Sequence, residues 1–267
     1  MRVTEIGTGQ EIKTCCAAFY GTDWARLLIG DSMHPGGWEL TMRLGHLLEL
    51  SPGSRVLDVA CGRGSSALRL AGKFGCEVVG VDLSAACVDA ARREAIRSDQ
   101  DGRVSFEVGD AETLAFGDGE FDAVVCECAF CTFPDKVGAA SEMARVLKLG
   151  GRLGLSDLVA RGELAPELRT LTGWVACIAD AGTESEYLGV LEDAGFVATC
   201  VETHDDALAK LVKEVRARLI GATVLTGLRK LDLAGVDLDQ AGIIGRAAEL
   251  AVRNGVLGYI LLTAVKA

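Results

Sequence analysis

Arg55-Val56-Leu57-Asp58-Val59-Ala60-Cys61-Gly62-Arg63-Gly64 is the stretch that decides the fold. Arg55–Ala60 is a short apolar run opened by the turn Ser51-Pro52-Gly53-Ser54, and it reads as a buried strand. The two glycines then mark a tight turn. Ser65–Phe74 follows, with Leu68, Leu70 and Ala71 on one side of a predicted helix. Glycine in such a strand-to-helix turn lets the backbone approach a ligand, and the helix N-terminus presents free N–H groups to an anion. Taken alone, the turn also fits a purely structural connection or a dinucleotide site.

Outward from this unit the same alternation repeats. Glu77–Asp82 reads as strand two and Ala85–Arg97 as its helix, with Ser84 as N-cap. Val104–Gly109 is strand three, Phe121–Cys126 strand four, Lys136–Leu147 a helix closed by Gly150-Gly151, and Arg152–Asp157 strand five. Strands alternating with helices at this spacing give βαβ units and a parallel sheet covered on both faces. Beyond strand five, Glu163–Ala181 and Glu186–Ala194 read as helices, Phe196–Thr203 as strand six and Leu257–Val265 as strand seven. Asp205–Asn254 has helical spacing and is too long for a loop, so it reads as an insertion or cap. Before strand one, Cys16–Ile29 and Trp38–Leu48 are predicted helices flanking a loop that contains His34. The expected architecture is α/β, a doubly wound, seven-stranded, mostly parallel sheet with a helical cap. Residues 1–50 form a helical segment over the site, 51–203 the core, and 204–267 the insertion plus the final strand.

Composition narrows the function. The 267 residues carry 27 Lys and Arg against 38 Asp and Glu, a net charge of −11. An acidic surface repels phosphate backbones, which argues against nucleic acid and for a small-molecule substrate. The first residues lack the apolar core of a secretory signal, and no apolar run has the length of a spanning helix, so a cytoplasmic protein without membrane contact is expected. Nothing in the sequence sets an oligomeric state. Ten cysteines in such a chain are expected to be reduced. They serve as core, as ligands or in redox chemistry; Cys76, Cys87 and Cys200 read as core. Trp24 and Trp38 read as helix anchors.

Three further features sharpen the turn after strand one. Asp82 ends strand two close to the roughly 20-residue spacing at which a carboxylate accepts ribose hydroxyls. Asp110-Ala111 follows strand three, where an acceptor and a backbone N–H can read an adenine edge. Pro134-Asp135 and Gly150-Gly151-Arg152-Leu153 bracket the helix before strand five. Together these residues resemble the S-adenosylmethionine motifs of class I methyltransferases, a Rossmann-like family, across residues 50–157. The resemblance implies that Gly62 and Gly64 shape the methionine end and that Asp58 positions the loop and the cofactor's amino group. It further implies that Asp82 binds ribose, that Leu83 stacks on adenine, and that Asp110 and Ala111 read the base. Ala60, Cys61 and Cys126 complete the implied cofactor set. Ala60 stands where the family has its first glycine, at an expected ordinary negative φ.

Strand four runs into Cys126-Glu127-Cys128-Ala129-Phe130-Cys131-Thr132-Phe133-Pro134-Asp135-Lys136, at the strand C-termini where the ligand crevice of an open α/β sheet forms. Cys128-x-x-Cys131 could be a redox pair or half of a zinc site, but no second pair stands at matching spacing. With Trp174-Val175-Ala176-Cys177-Ile178-Ala179, this segment resembles arsenite methyltransferases through about Gly195. That family has one cysteine six residues after the strand-four aspartate and another in a Trp-x-x-Cys helix. Cys128 and Cys177 occupy those positions, and Cys15 or Cys16, with preference for Cys16, would supply a third thiol. The resemblance implies that Cys16, Cys128 and Cys177 hold arsenic(III) or a related soft metalloid as substrate. S-adenosylmethionine would be the methyl donor, S-adenosylhomocysteine the product, and glutathione or thioredoxin the reductant. Cys131 departs from the family pattern, and Cys15-Cys16 do not align cleanly with it. Two alternatives stand beside this reading: methylation of oxygen, nitrogen or carbon on an organic metabolite, and a non-catalytic soft-metal or redox thiol protein.

Overall fold

A computed structural model of the chain describes residues 8–227 and 237–267. Three helices come first: α1 (Gly9–Tyr20), α2 (Asp23–Ile29) and α3 (Gly37–Leu47). The single helix expected at Cys16–Ile29 is broken at Gly21. Thr22 restarts it, its hydroxyl accepting from Ala25 N at 3.1 Å. Then follow β1 (Arg55–Val59), α4 (Ser65–Phe74), β2 (Glu77–Asp82), α5 (Ala85–Arg97), β3 (Val104–Val108), β4 (Phe121–Glu127) and α6 (Lys136–Val146). The chain continues through β5 (Leu147–Ala160), α7 (Leu171–Val175), α8 (Glu184–Asp193), β6 (Phe196–Thr203), α9 (Asp205–Gly227), α10 (Leu238–Arg253) and β7 (Leu257–Lys266).

The seven strands form one sheet in the order β3-β2-β1-β4-β5-β7-β6. Neighbours from β3 to β5 are parallel, and β7 runs antiparallel to both β5 and β6. The doubly wound α/β sheet is the one the alternation predicts. Strand order reverses beside β1, so the loops after β1, β2, β3 and β4 meet at one crevice. β1 is buried on both faces, which is why its sequence is a continuous apolar run and not an alternating one.

Two expectations need correction. Gly150-Gly151 do not cap a helix: α6 ends at Val146, and both glycines lie inside β5. The β4–β5 register slips between Phe121↔Leu147 and Ala123↔Arg152, and Gly150, at φ +74°, takes up the extra residues of that bulge. Glu163–Ala181 is not one helix either. It holds only a 3-10 turn at Pro166–Leu168 and the five-residue α7, because Thr170 caps a new start and Cys177 ends it at φ +64°. In the 205–254 insertion, α9 and α10 are helical as expected; residues 228–236 lie outside the described residues. No helix among the described residues is long and apolar enough to cross a membrane.

Candidate active site

The crevice at the strand C-termini is lined by the β1–α4 loop, Asp82 and Leu83, Asp110 and Ala111, Glu127–Ala129 and Thr132–Pro134. Lys13, Cys16, Ala17 and Tyr20 close it from above, at the spacing of one face of α1. The loop Asp31–His34 closes its side. Gly64 sits at φ +77°, and a Cβ there would meet the Phe106 ring at 2.4 Å, so only glycine fits. Gly62, at φ +54°, faces open space, leaving its backbone bare to a ligand.

Ala60 corrects the expectation of a negative φ: it sits at φ +58°, in the left-handed region where a Cβ is strained. Replacing Ala60 with glycine should therefore stabilise the fold by about 0.5–1 kcal/mol, after allowance for the freer unfolded chain. That corresponds to a rise in melting temperature of about 1–4 °C for a chain of this size. A lower melting temperature would contradict it.

Asp82 accepts from Gly62 N and Ser84 N, each at 2.8 Å, so its carboxylate ties the glycine loop to the end of β2. Burial pushes its pKa up, partly offset by those two bonds. Leu83 is 37% exposed at the rim, an apolar face free for stacking. Asp110 accepts from Glu112 N at 3.0 Å and from Lys13 Nζ at 2.7 Å; Lys13 also pairs with Glu112. α1 is thus latched to the loop that would read the base. Asp58 is 2% exposed, and its Oδ2 has no hydrogen-bond partner. Burial, then Glu127 and Asp82 nearby, push its pKa well up. An orphaned buried acceptor among three carboxylates suits a cationic ligand such as the ammonium and sulfonium of S-adenosylmethionine.

Cys61 lines the crevice, but Cys126 does not. It is fully buried within β4, so its place in the cofactor set is corrected to the core. Cys76 and Cys87 are buried as expected, whereas Cys200 is only half-buried. Cys15 lies off the pocket-facing side of α1.

Cys128 and Cys177 meet. Cys177 Sγ donates to Cys128 O at 3.4 Å and lies 3.2 Å from Tyr20 Oη, which itself donates to Val175 O at 2.9 Å. Both cysteines adopt left-handed backbone, at φ +55° and +64°. Such strain in non-glycine residues persists where the surroundings over-determine it. Trp174 Nε1 donates to Thr132 O at 2.9 Å, fastening α7 to the segment after β4. The Cys177 thiol is held well down by hydrogen bonds from Cys128 and then Cys131, against the effect of burial. Those partners go up: Cys128 chiefly through its bond to Cys177, Cys131 and Tyr20 chiefly through burial. Cys177 is thus the most readily ionised thiol of the cluster. Cys16 is near enough to feel Cys177, and burial foremost pushes its thiol up to about 12. Among the described residues no three His, Cys, Asp or Glu groups stand in ready-made metal-ligand geometry.

Behind the thiols, Asp157 is fully buried and accepts from Cys131 N at 2.9 Å and Leu158 N at 2.7 Å. Burial, then Cys177, raise its pKa to about 7. A carboxyl raised on folding binds more protons folded than unfolded, so its share of stability falls as pH climbs from about 4 to about 7. Asp157→Asn removes this dependence. The variant should lose ground to the parent at pH 4, where it lacks one hydrogen bond, and gain on it by pH 8. Denaturant melts at both pH values measure this; a difference independent of pH would refute it.

The sequence reading missed Glu127. Its carboxylate accepts from Ser66 Oγ at 2.6 Å and Thr41 Oγ1 at 3.1 Å. His34 Nε2 lies 3.2 Å from Thr41 Oγ1 and 3.7 Å from Glu127, while Nδ1 donates to Pro35 O at 3.0 Å. His34, in the loop between α2 and α3, thus lines the crevice from a buried network.

Comparison with known proteins agrees with this geometry. Residues 56–151 match the family model of a methyltransferase domain. The chain is 30% identical to the 27-O-demethylrifamycin SV methyltransferase of Amycolatopsis mediterranei, over 98% of its own length and 97% of that protein's. The chain belongs to the class I S-adenosylmethionine-dependent methyltransferases. Among other relatives of this methyltransferase is an arsenite methyltransferase of Halobacterium salinarum, 29% identical over 59% of the chain and 41% of that protein. A solved structure described as a putative sarcosine dimethylglycine methyltransferase from Galdieria sulphuraria superposes with a TM-score of 0.76 at 19% identity, covering 86% of this chain and 85% of that one. A Haemonchus contortus phosphoethanolamine N-methyltransferase solved with S-adenosyl-L-methionine gives 0.73 at 22% identity, over 94% of this methyltransferase and 57% of that chain. Both of these structural likenesses speak for the fold.

Proposed function

We propose that this methyltransferase acts on a soft acceptor held by its thiols, with arsenic(III) as the substrate and Cys128, Cys177 and Cys16 as the groups that hold it. The observation that carries the reading is the convergence of Cys128 and Cys177, forty-nine positions apart, in strained left-handed backbone beside the cofactor crevice. Bound S-adenosylmethionine supplies an electrophilic methyl group on its sulfonium. Asp58, Gly62 and Gly64 would hold its methionine end, Asp82 the ribose, and Leu83, Asp110 and Ala111 the base. The three thiols would take arsenic from arsenous acid, each S–H proton leaving with a hydroxide as water, so no net proton is released. Arsenic then keeps a lone pair as nucleophile, and no general base is required. Orientation in a dry site supplies the rate advantage. Gaining the methyl would take arsenic formally from +3 to +5; two of its thiolates leaving as a disulfide would return it to +3, and glutathione or thioredoxin would reduce that disulfide. Residues 1–50 act as the cover, 51–203 as the cofactor-binding core, and 204–267 as the insertion and closing strand.

A second reading is O-methylation of an organic hydroxyl. Two observations favour it: the full-length likeness to a rifamycin O-methyltransferase, and the buried His34–Thr41–Glu127 network as a proton acceptor in the crevice. One experiment separates the two. The enzyme is incubated with labelled S-adenosylmethionine, glutathione and arsenite, and the arsenicals are speciated. Methylated arsenic is expected; its absence under reducing conditions would leave the O-methylation reading.

A further inference from the structure

We propose that the cleft between α3, α4 and α5 is a second ligand site, which binds a small organic anion: a phosphate or carboxylate on a flat apolar body. The cleft measures about 620 Å³, within the range of small-molecule sites. On a chain of net charge −11 it gathers five cations, Arg26, Arg63, Arg69, Lys73 and Arg97, against Asp31 and Glu94 alone. Three of the five are engaged: Arg26 with Asp31, Arg63 with Asp23 outside the cleft, and Arg97 with Glu94. Arg69 and Lys73, one helical turn apart on α4, have no carboxylate partner among the described residues.

Arg69 lies 4.5 Å above the Trp38 ring. Stacking uses the face of a guanidinium and leaves its in-plane N–H donors for a second partner, and a planar fork matches phosphate or carboxylate. Trp38, Met33, Met42 and Leu68 supply an apolar wall beside these donors. Two of the buried polar atoms that lack a partner, Arg63 Nε and Gln100 Oε1, also belong to residues of this cleft. The acidity of the rest of the surface opposes a polyanion, whereas one compact anion meets only the local field. Asp31, Met33, Arg63 and Ser65 line both this cleft and the cofactor crevice, so the site backs onto the glycine loop without being part of it.

The test is calorimetric titration of the full chain with 1-naphthyl phosphate, 1-naphthoate and 1-naphthol. Both anions should bind, and naphthol at least about ten-fold more weakly. The phosphate and carboxylate arms tell which anion the site prefers. Arg69→Glu/Lys73→Glu and the milder Arg69→Gln/Lys73→Gln should each weaken the anions by about ten-fold or more while melting falls by no more than a few degrees, because both side chains are exposed on α4. Equal binding of naphthol, or unchanged binding in both double variants, would overturn the proposal. So would simple competition by S-adenosylhomocysteine, which would put the probe in the cofactor crevice.

Discussion

Cys128→Ser and Cys177→Ser should each abolish methylation of arsenite while leaving S-adenosylmethionine binding intact. A hydroxyl is a hard, protonated and poor ligand for a soft centre, and loss of one of three thiols removes the grip that presents the lone pair. Cys177 is the more severe site. It is the most readily ionised thiol of the cluster, its pKa held down chiefly by hydrogen bonds with Cys128 and then Cys131. Serine at 177 can still donate to Cys128 O, so its structural bond survives and the loss is chemical. Melting temperature measured beside turnover separates the roles: a structural cysteine would show modestly lowered stability and near-normal turnover. Cys15→Ser should leave turnover near normal and Cys16→Ser should not, because Cys16 alone of the two lines the crevice. Normal arsenite turnover in both the Cys128 and Cys177 variants would sink the metalloid reading.

Asp82→Ala should weaken the cofactor by about ten- to a hundred-fold, the worth of charge-assisted bonds contributing roughly 1.5–3 kcal/mol. The geometry adds a second cause to the lost ribose contact. Asp82 also ties Gly62 N and Ser84 N together, so its removal frees the loop that shapes the methionine end. Asp82→Asn keeps one acceptor and should fall between the two. Calorimetry with S-adenosylhomocysteine measures both variants, and an unchanged dissociation constant in the alanine variant would remove Asp82 from the site.

Much of the sheet was legible because its signals are local. The apolar run of β1, the Gly62-Arg63-Gly64 turn and the Ser84 cap each declare themselves within a few residues. The start of β5 was not, because a bulge against β4 looks in sequence like a glycine helix cap. Cys128 and Cys177 could be singled out by their places after Asp122 and Trp174, but that they meet depends on α7 docking through Trp174. Glu127 was hidden by its neighbours. In Cys126-Glu127-Cys128 the strand buries Cys126, turns Glu127 toward the crevice, and ends in a left-handed Cys128. The Lys13 latch to Asp110 spans nearly a hundred residues and has no local trace.

The placement of β7 governs when this enzyme can come into being. β5 pairs from Arg152 to Ala160 with a strand that begins only at Leu257, and among the described residues β6 reaches the sheet through that same strand alone. While the chain is being synthesised, β5 is an open edge whose natural neighbour has not yet left the ribosome. Unpaired edges recruit other chains, and pairings between distant segments are slow to form. The crevice-lining half can assemble early around β1, yet the sheet stays exposed to misassociation until the final ten-residue strand threads between its two neighbours.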